Sequence, residues 1–110
     1  MVKYVPERGD IVWLEFEPQK GKEINKTRPA LVISPRAYNA KTGLALFMPI
    51  TSKIKNYPFE ILVDSKEIEG VILCDQIRSQ DWQARNAKKI SQVSEKIVIE
   101  SLAKLEILLD

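Results

Sequence analysis

The sequence contains no histidine and a single cysteine, Cys74. Histidine is the usual general acid–base residue near neutral pH and the commonest metal ligand, so its absence removes both roles. One cysteine cannot form an internal disulfide, and Cys74 lies in the apolar run VILC, where a small buried thiol in a reducing compartment is expected. We therefore expect no transition-metal site and no cofactor.

Glycine is also scarce, and the four glycines are too scattered to form a Gly-rich phosphate loop. No apolar run approaches the roughly 20 residues that span a bilayer. The N-terminal stretch MVKYVPERGD lacks the apolar segment of a secretory signal. We expect a single domain over residues 1–110 that resides in the cytoplasm and has no membrane association.

The net charge of +2 hides an uneven distribution of basic residues along the chain. Between Lys20 and Lys55 the sequence has eight basic residues and one acidic residue, Glu23. A local surplus of this size indicates an anionic partner for one face of the protein. The alternative is a solvated loop region without a ligand.

Apolar runs and period-two alternation predict a chain made mostly of short strands. In the first strand Val12, Leu14 and Phe16 are expected to face the core, and Trp13, Trp82 and Phe47 are expected to pack inside it. The segment RAYNAKTG, residues 36–43, turns the chain and has room for one helical turn. The predicted strands cover residues 9–18, 29–35, 44–50, 59–64, 70–74 and 87–90.

The C-terminal segment changes to a helical period. Its apolar residues recur at i, i+4, i+7 and i+11, which is typical of an amphipathic helix, and Ser94 is placed to cap its N-terminus. Several short strands followed by one helix predict a mainly β fold, a small bent antiparallel sheet or half-open barrel. The apolar stripe consists of Val98, Leu102, Leu105 and Leu109, widened by Ile97 and Leu108.

Two polar loops meet core strands at residues that can bind phosphate. Arg28 starts the second strand and Thr51 ends the third, and an antiparallel pairing of these strands makes them neighbours at one sheet edge. A guanidinium beside a hydroxyl is a plausible phosphate cradle, ringed by Lys26, Lys53 and Lys55.

Each of these residues also has a purely structural interpretation. Arg28 can cap the start of the strand as a cation paired with Glu23 or Glu15, and the Thr51 hydroxyl can bond its own backbone in a turn. The residues alone leave both interpretations open.

The order of motifs along the chain resembles the MazF/PemK/Kid group of toxin endoribonucleases, the mRNA interferases. The resemblance runs from about Tyr4 to the last helix, and its strongest signals are RGDIVW, RPALVISP followed by PIT, and CDQIR followed by DW. It implies an SH3-like antiparallel barrel of the PemK/CcdB type with a C-terminal α-helix. It also implies a growth-inhibiting toxin of a type II toxin–antitoxin system.

The resemblance further implies specific roles. Arg28 and Thr51 match the family's catalytic arginine and threonine, Glu23 and Lys55 match positions that hold RNA, and Gln76 matches a base-contacting position. Lys26 and Lys53 are expected to add to the RNA-binding surface.

One branch of the family has an arginine at the position of Leu73 and a histidine at that of Lys22, so this chain resembles the Arg/Thr branch. That difference leaves the role of Asp75 in proton transfer open.

Specific cleavage requires single-stranded bases, because duplex RNA hides its base edges. Phe16 and Tyr57 are, with Gln76, the expected base-contacting candidates.

RNA carries its own nucleophile, the 2′-hydroxyl, so the expected cleavage needs no metal and leaves a 2′,3′-cyclic phosphate and a 5′-hydroxyl. The resemblance implies a homodimer and a cognate antitoxin whose acidic, disordered tail competes with RNA. Operator DNA is expected as a partner only through the antitoxin complex.

Two alternatives stay open: a non-catalytic toxin of the same fold that poisons DNA gyrase, and an SH3-like adaptor for proline-rich ligands.

Overall fold

The computed structural model describes residues 4–15 and 27–110 of the chain. In these ranges the chain forms seven strands, two α-helices and one short 3₁₀ turn. Their bounds, in chain order, are β1 Asp10–Glu15, β2 Thr27–Val32, α1 Arg36–Thr42, β3 Leu44–Thr51, β4 Glu60–Leu62, β5 Val71–Leu73, the 3₁₀ turn Cys74–Gln76, β6 Arg78–Asp81, β7 Lys88–Gln92 and α2 Glu95–Leu109. Neither α-helix is long and apolar enough to cross a membrane.

The strands form one antiparallel sheet in the order β4-β5-β3-β2-β1-β7, with β6 also paired to β3. β3 is the central strand: its residues 44–47 pair with β6, its residues 47–49 with β2 and its residues 50–51 with β5. The mainly β architecture with a C-terminal helix is therefore confirmed. The expected barrel is not closed, because within residues 4–15 and 27–110 the strand path ends at β4 and β7.

Five of the predicted strands and the short strand near residue 90 are present, most of them shorter than predicted. The predicted end of the first strand, residues 16–18, lies outside the described residues. The segment at 36–43 is a helix of seven residues, closed by Gly43 at φ +75°. Strand β6 was not predicted, because its sequence RSQD has no apolar alternation.

The two faces of the sheet carry separate apolar clusters, since successive side chains of a strand point to opposite faces. Leu31 and Ile33 belong to the helix-side cluster, against which the helix residues Ile97, Val98, Leu102 and Leu105 pack. Ala30 and Val32 belong to the far-side cluster, which faces away from α2. The far-side cluster consists of Val12, Leu14, Ala30, Val32, Ala45, Phe47 and Trp82.

Helix α2 begins as predicted and ends differently. The backbone N–H of Ile97 donates to Ser94 Oγ at 3.3 Å, so Ser94 is the N-cap. The predicted apolar stripe is correct as far as Leu105, but Leu109 is 76% exposed and Leu108 is exposed as well. The packed part of the helix is therefore about one turn shorter than the sequence periodicity predicts.

The expected core positions are correct for Trp82, Phe47 and Cys74, which are all buried. The prediction that Trp13 packs in the core is wrong, because its side chain is 39% exposed. It lies on the face of β1 opposite Val12 and Leu14, which fill the far-side cluster, and it is not among the residues of the helix-side cluster.

Asn39, in α1, joins three parts of the chain through buried hydrogen bonds. Its Nδ2 donates to the Pro6 carbonyl at 2.8 Å and to the Ser34 carbonyl at 3.1 Å. The Ser34 hydroxyl donates to Asn39 Oδ1, and the indole N–H of Trp82 donates to the Asn39 carbonyl at 3.0 Å. A buried side chain with this many partners is costly to remove, because its removal leaves buried polar groups with a hydrogen bond unmade.

We predict that Asn39→Ala lowers the free energy of unfolding by about 2–3 kcal/mol, since the Pro6 and Ser34 groups lose their buried partner. Urea denaturation followed by circular dichroism measures this loss. Gln83→Ala, at an exposed position of the turn after β6, is the control and should stay within about 0.5 kcal/mol of the parent chain. Equal stability of the two variants would contradict the assignment.

Candidate active site

A pocket of about 180 Å³ opens on the far side of the sheet, where β2 begins and β3 ends. Its floor is apolar and includes Ala30 and Phe47 of the far-side cluster. Its polar wall brings together side chains from four separate segments of the chain. These polar residues are Arg28, Thr51, Gln76, Arg78, Gln80 and Arg85.

Strand register explains why Arg28 and Thr51 share this pocket. Arg28 lies two residues before Ala30, so both side chains point to the far side. The β2–β3 ladder pairs Ala30 with Pro49, and the same register continued by two residues sets Arg28 across from Thr51. The predicted convergence of the two residues at one sheet edge is therefore observed, while their catalytic roles stay a prediction.

The Thr51 hydroxyl takes part in the turn that follows β3. The backbone N–H of Lys53 donates to Thr51 Oγ1 at 3.2 Å, which is the turn interaction considered from the sequence. A hydroxyl has two acceptor lone pairs and one donor hydrogen. Since Lys53 occupies a lone pair, the turn orients Thr51 and still lets its O–H donate to a ligand.

Two further arginines of the pocket wall were not recognised from the sequence. Arg78 opens β6 and pairs with Phe47 of β3, while Arg85 lies in the turn that follows β6. Arg85 also donates from Nη1 to the Glu15 carbonyl at 3.1 Å, which anchors it beside the end of β1. With Arg28 they make the wall of the pocket strongly cationic, as a phosphate site requires.

The 3₁₀ turn separates the roles of two neighbouring polar residues. Gln76 lies in the pocket wall, as the base-contact prediction requires, and Leu73 lies beside it in place of the arginine of the other branch. Asp75 is not part of the wall; its carboxylate accepts a hydrogen bond of 2.5 Å from the Tyr57 hydroxyl. This contact ties the loop after β3 to the 3₁₀ turn that carries Gln76.

The lysines of the loop after β3 lie next to the pocket and not in its wall. Lys53 and Lys55 are both exposed. The Glu60 carboxylate holds this loop by accepting from the backbone N–H groups of Lys55, at 3.0 Å, and Asn56, at 2.9 Å. These hydrogen bonds fix the backbone of the loop that carries the two lysines.

Three of the predicted RNA-binding residues, Phe16, Glu23 and Lys26, lie outside the described residues, as does Lys22. Within residues 4–15 and 27–110, no three Cys, Asp or Glu side chains are grouped so that they could hold a metal ion. The polar chemistry of the pocket is that of guanidinium, hydroxyl and carboxamide groups, which bind anions and base edges.

Comparison with known proteins places this chain and its fold among bacterial toxins. The model of the family described as PemK-like, MazF-like toxins of type II toxin–antitoxin systems matches residues 7–109. The chain is 43% identical over 107 residues to the endoribonuclease toxin MazF of Escherichia coli K12, covering 97% of this chain and 96% of that protein.

Solved structures give the same result. The crystal structure of MazF from Deinococcus radiodurans is 44% identical with a TM-score of 0.86, covering 97% of this chain and 98% of that one. The MazE–MazF structure from the same organism is 41% identical with a TM-score of 0.87, covering 97% of both chains.

The chain therefore belongs to the family of PemK-like, MazF-like toxins of type II toxin–antitoxin systems. The family identified from the sequence motifs is confirmed. The enzyme class is confirmed with it, because relatives that match nearly the whole chain are endoribonucleases.

We predict that the Tyr57–Asp75 contact is lost at high pH. The hydrogen bond to Asp75 raises the pKa of Tyr57 to about 12 from its ordinary value of 10.0. A raised tyrosine pKa means that the contact stabilises the fold fully below about pH 10 and loses this effect as the pH rises through about 12. Asp75→Ala should return the pKa of Tyr57 towards about 10.

The measurement is a pH titration of the Tyr57 ring carbon Cζ by NMR, with Tyr57→Phe identifying the signal. Glu106→Ala, at an exposed acid of α2, is the control and should leave the titration unchanged. A Tyr57 pKa that is the same with and without the Asp75 carboxylate would show that the contact is absent in solution.

Proposed function

We propose that this chain cleaves single-stranded RNA at specific sequences by a metal-independent attack of the 2′-hydroxyl, which leaves a 2′,3′-cyclic phosphate and a 5′-hydroxyl. The observation that carries the proposal is the convergence of Arg28 and Thr51 on one pocket over an apolar floor. The family and the enzyme class support the substrate, and the pocket supports the chemistry.

In this reaction O2′ loses its proton as its bond to phosphorus forms, while the bond from phosphorus to O5′ breaks and O5′ takes up a proton to become the 5′-hydroxyl. Negative charge develops on the non-bridging oxygens, and the guanidinium of Arg28 can donate two parallel hydrogen bonds to it. The Thr51 hydroxyl adds one neutral donor. The substrate supplies its own nucleophile, so catalysis consists mainly of alignment and charge stabilisation.

Substrate binding extends beyond the scissile phosphate. Gln76 offers a carboxamide to the edge of an unpaired base, which only single-stranded RNA exposes. Lys53 and Lys55, in the exposed loop that follows Thr51, would contact phosphates on either side of the cleaved linkage. Phe16, Glu23 and Lys26 complete the proposed RNA-binding set.

The partners follow from the same surface. The crystal structure of the Deinococcus relative has been solved with MazE, and we propose that this chain also has a cognate antitoxin. An acidic, disordered antitoxin tail would compete with RNA for the cationic pocket. A homodimer would lengthen the RNA groove across its two-fold axis, operator DNA would be reached only through the antitoxin complex, and the cytoplasm would be the site of action.

We predict that Arg28→Ala lowers kcat for RNA cleavage by about 10²–10³-fold, because the developing charge loses its bidentate donor. Thr51→Ala should cost less, about 10–10²-fold, since it removes one neutral donor. Arg28→Lys should recover only part of the rate, because an ammonium lacks the planar fork. Arg36→Ala, at an exposed arginine of α1, is the control and should cleave at the parent rate.

Single-turnover cleavage of a fluorescent RNA measures these rates, and circular dichroism checks that each variant is folded. Parent-level activity in Arg28→Ala would remove the basis of the mechanism.

The function itself is tested by incubating the purified chain with a long RNA and EDTA and sequencing the RNA ends. We expect discrete fragments with cyclic phosphate and 5′-hydroxyl ends, formed without added metal. A parallel gyrase supercoiling assay covers the alternative toxin activity. Intact RNA together with inhibited supercoiling would overturn the proposal in favour of a gyrase poison.

A further inference from the structure

Gly70, the residue before β5, lies directly against the backbone of Thr51. It is buried and has a φ of +142°, a conformation that residues with a side chain rarely adopt. A Cβ atom at this position would lie 2.4 Å from the Thr51 carbonyl oxygen and 2.9 Å from its carbonyl carbon. Real Cβ atoms do not approach backbone so closely, so any side chain at residue 70 forces a displacement.

The other glycines of the described segments do not have this contact. A Cβ at Gly43, which also has a positive φ, would meet nothing within 4 Å. A Cβ at Gly9 would meet only a methyl group of the Val98 side chain, at 3.3 Å, and no backbone. Only at Gly70, among the described glycines, does the missing side chain make room for the backbone of a candidate catalytic residue.

The surroundings determine which side of the contact would move. The Gly70 carbonyl accepts a hydrogen bond from the Val63 N–H at 3.0 Å. The next residue, Val71, pairs with both Thr51 and Leu62, because β5 lies between β3 and β4, and its side chain is buried. Gly70 is thus held by the core, whereas Thr51 is the last residue of β3 and is followed by an exposed loop.

We propose that Gly70 is a positioning residue for the cleavage reaction: its missing side chain sets the place of the Thr51 backbone, and hence of the Thr51 hydroxyl opposite Arg28. The inference rests on the proposed function through the role given to Thr51. A displacement of about 1 Å in a positioned group is enough to cost about 10²-fold in rate.

The test compares Gly70→Ala with the matched control Gly43→Ala, which introduces alanine at a positive φ without a steric neighbour. Both variants should lose stability. Gly70→Ala should also lower kcat by about 10–10²-fold with KM changed little, whereas Gly43→Ala should keep kcat within about twofold of the parent chain. The Thr51 methyl resonance should shift in Gly70→Ala and not in Gly43→Ala.

A double-mutant cycle separates this inference from the proposed function. In a Thr51→Ala background, Gly70→Ala should add less than about twofold to the loss of kcat, because the group that it displaces is already gone. Suppose that Thr51→Ala lowers kcat. The inference alone is then overturned if Gly70→Ala leaves kcat unchanged, or if Gly70→Ala lowers kcat by the same factor in the parent and in the Thr51→Ala backgrounds. A fully active Thr51→Ala overturns the proposed role of Thr51.

Val63→Pro provides a second variant if Gly70→Ala does not fold, since it removes the N–H that holds the Gly70 carbonyl and Val63 is not itself a residue that lines the pocket. It should lower kcat in the same direction by a smaller factor, about 3–10-fold, and shift the Thr51 methyl resonance. Unchanged kcat and an unchanged resonance in this variant would also overturn the inference.

Discussion

The antiparallel register between β2 and β3 is the constraint on which the site depends. A slip of one residue would turn Arg28 to the helix side of the sheet and separate it from Thr51. Packing prevents this slip, because the run from Ala30 to Ile33 is buried on both faces with unequal side chains. Leu31 and Ile33 fill the space under α2, while Ala30 and Val32 occupy the far side.

The same run explains which parts of the fold and site were predictable from the sequence. The strands β2 and β3 are strongly apolar, and the connection between them, residues 33–43, is shorter than the dozen or more residues of a parallel crossover. Antiparallel pairing, and with it the meeting of Arg28 with Thr51, is therefore expected from local pattern. Strand β6 has no such pattern, since RSQD becomes a strand only by pairing with residues 44–47 of β3. Arg78 and Arg85 were missed for this reason, because their positions depend on that pairing and on the turn after it. Exposure of Trp13 likewise depends on how far the helix-side cluster extends along β1, which the alternation of one strand does not specify.

The pocket combines an apolar floor with exposed charged groups. Arg28 follows the alternation of β2 directly out of the far-side cluster, so it lies in the same pocket as Ala30 and Phe47 while it stays open to solvent. Because the packed core fixes β2, the backbone that carries Arg28 has a defined place at the start of the strand. A guanidinium at the start of a core strand is thereby better positioned for a phosphate than one on an exposed loop, which is a physical reason for placing it there.

The pocket lies where β3 changes its neighbour. Residues 44–47 pair with β6 and residues 50–51 with β5, and the chain passes from β5 to β6 through the 3₁₀ turn that carries Gln76. Pro49 lies between these two pairings, and a proline has no N–H to donate to a further strand. The interruption lets the 3₁₀ turn reach the end of β3, so Gln76 enters the wall that Thr51 and Arg28 share. The ladder with β5 resumes at Ile50 and includes Thr51, where Gly70 leaves room for the close approach of the two backbones. One residue without an N–H and one without a side chain thus flank the end of β3 at the site, although neither takes part in the proposed chemistry.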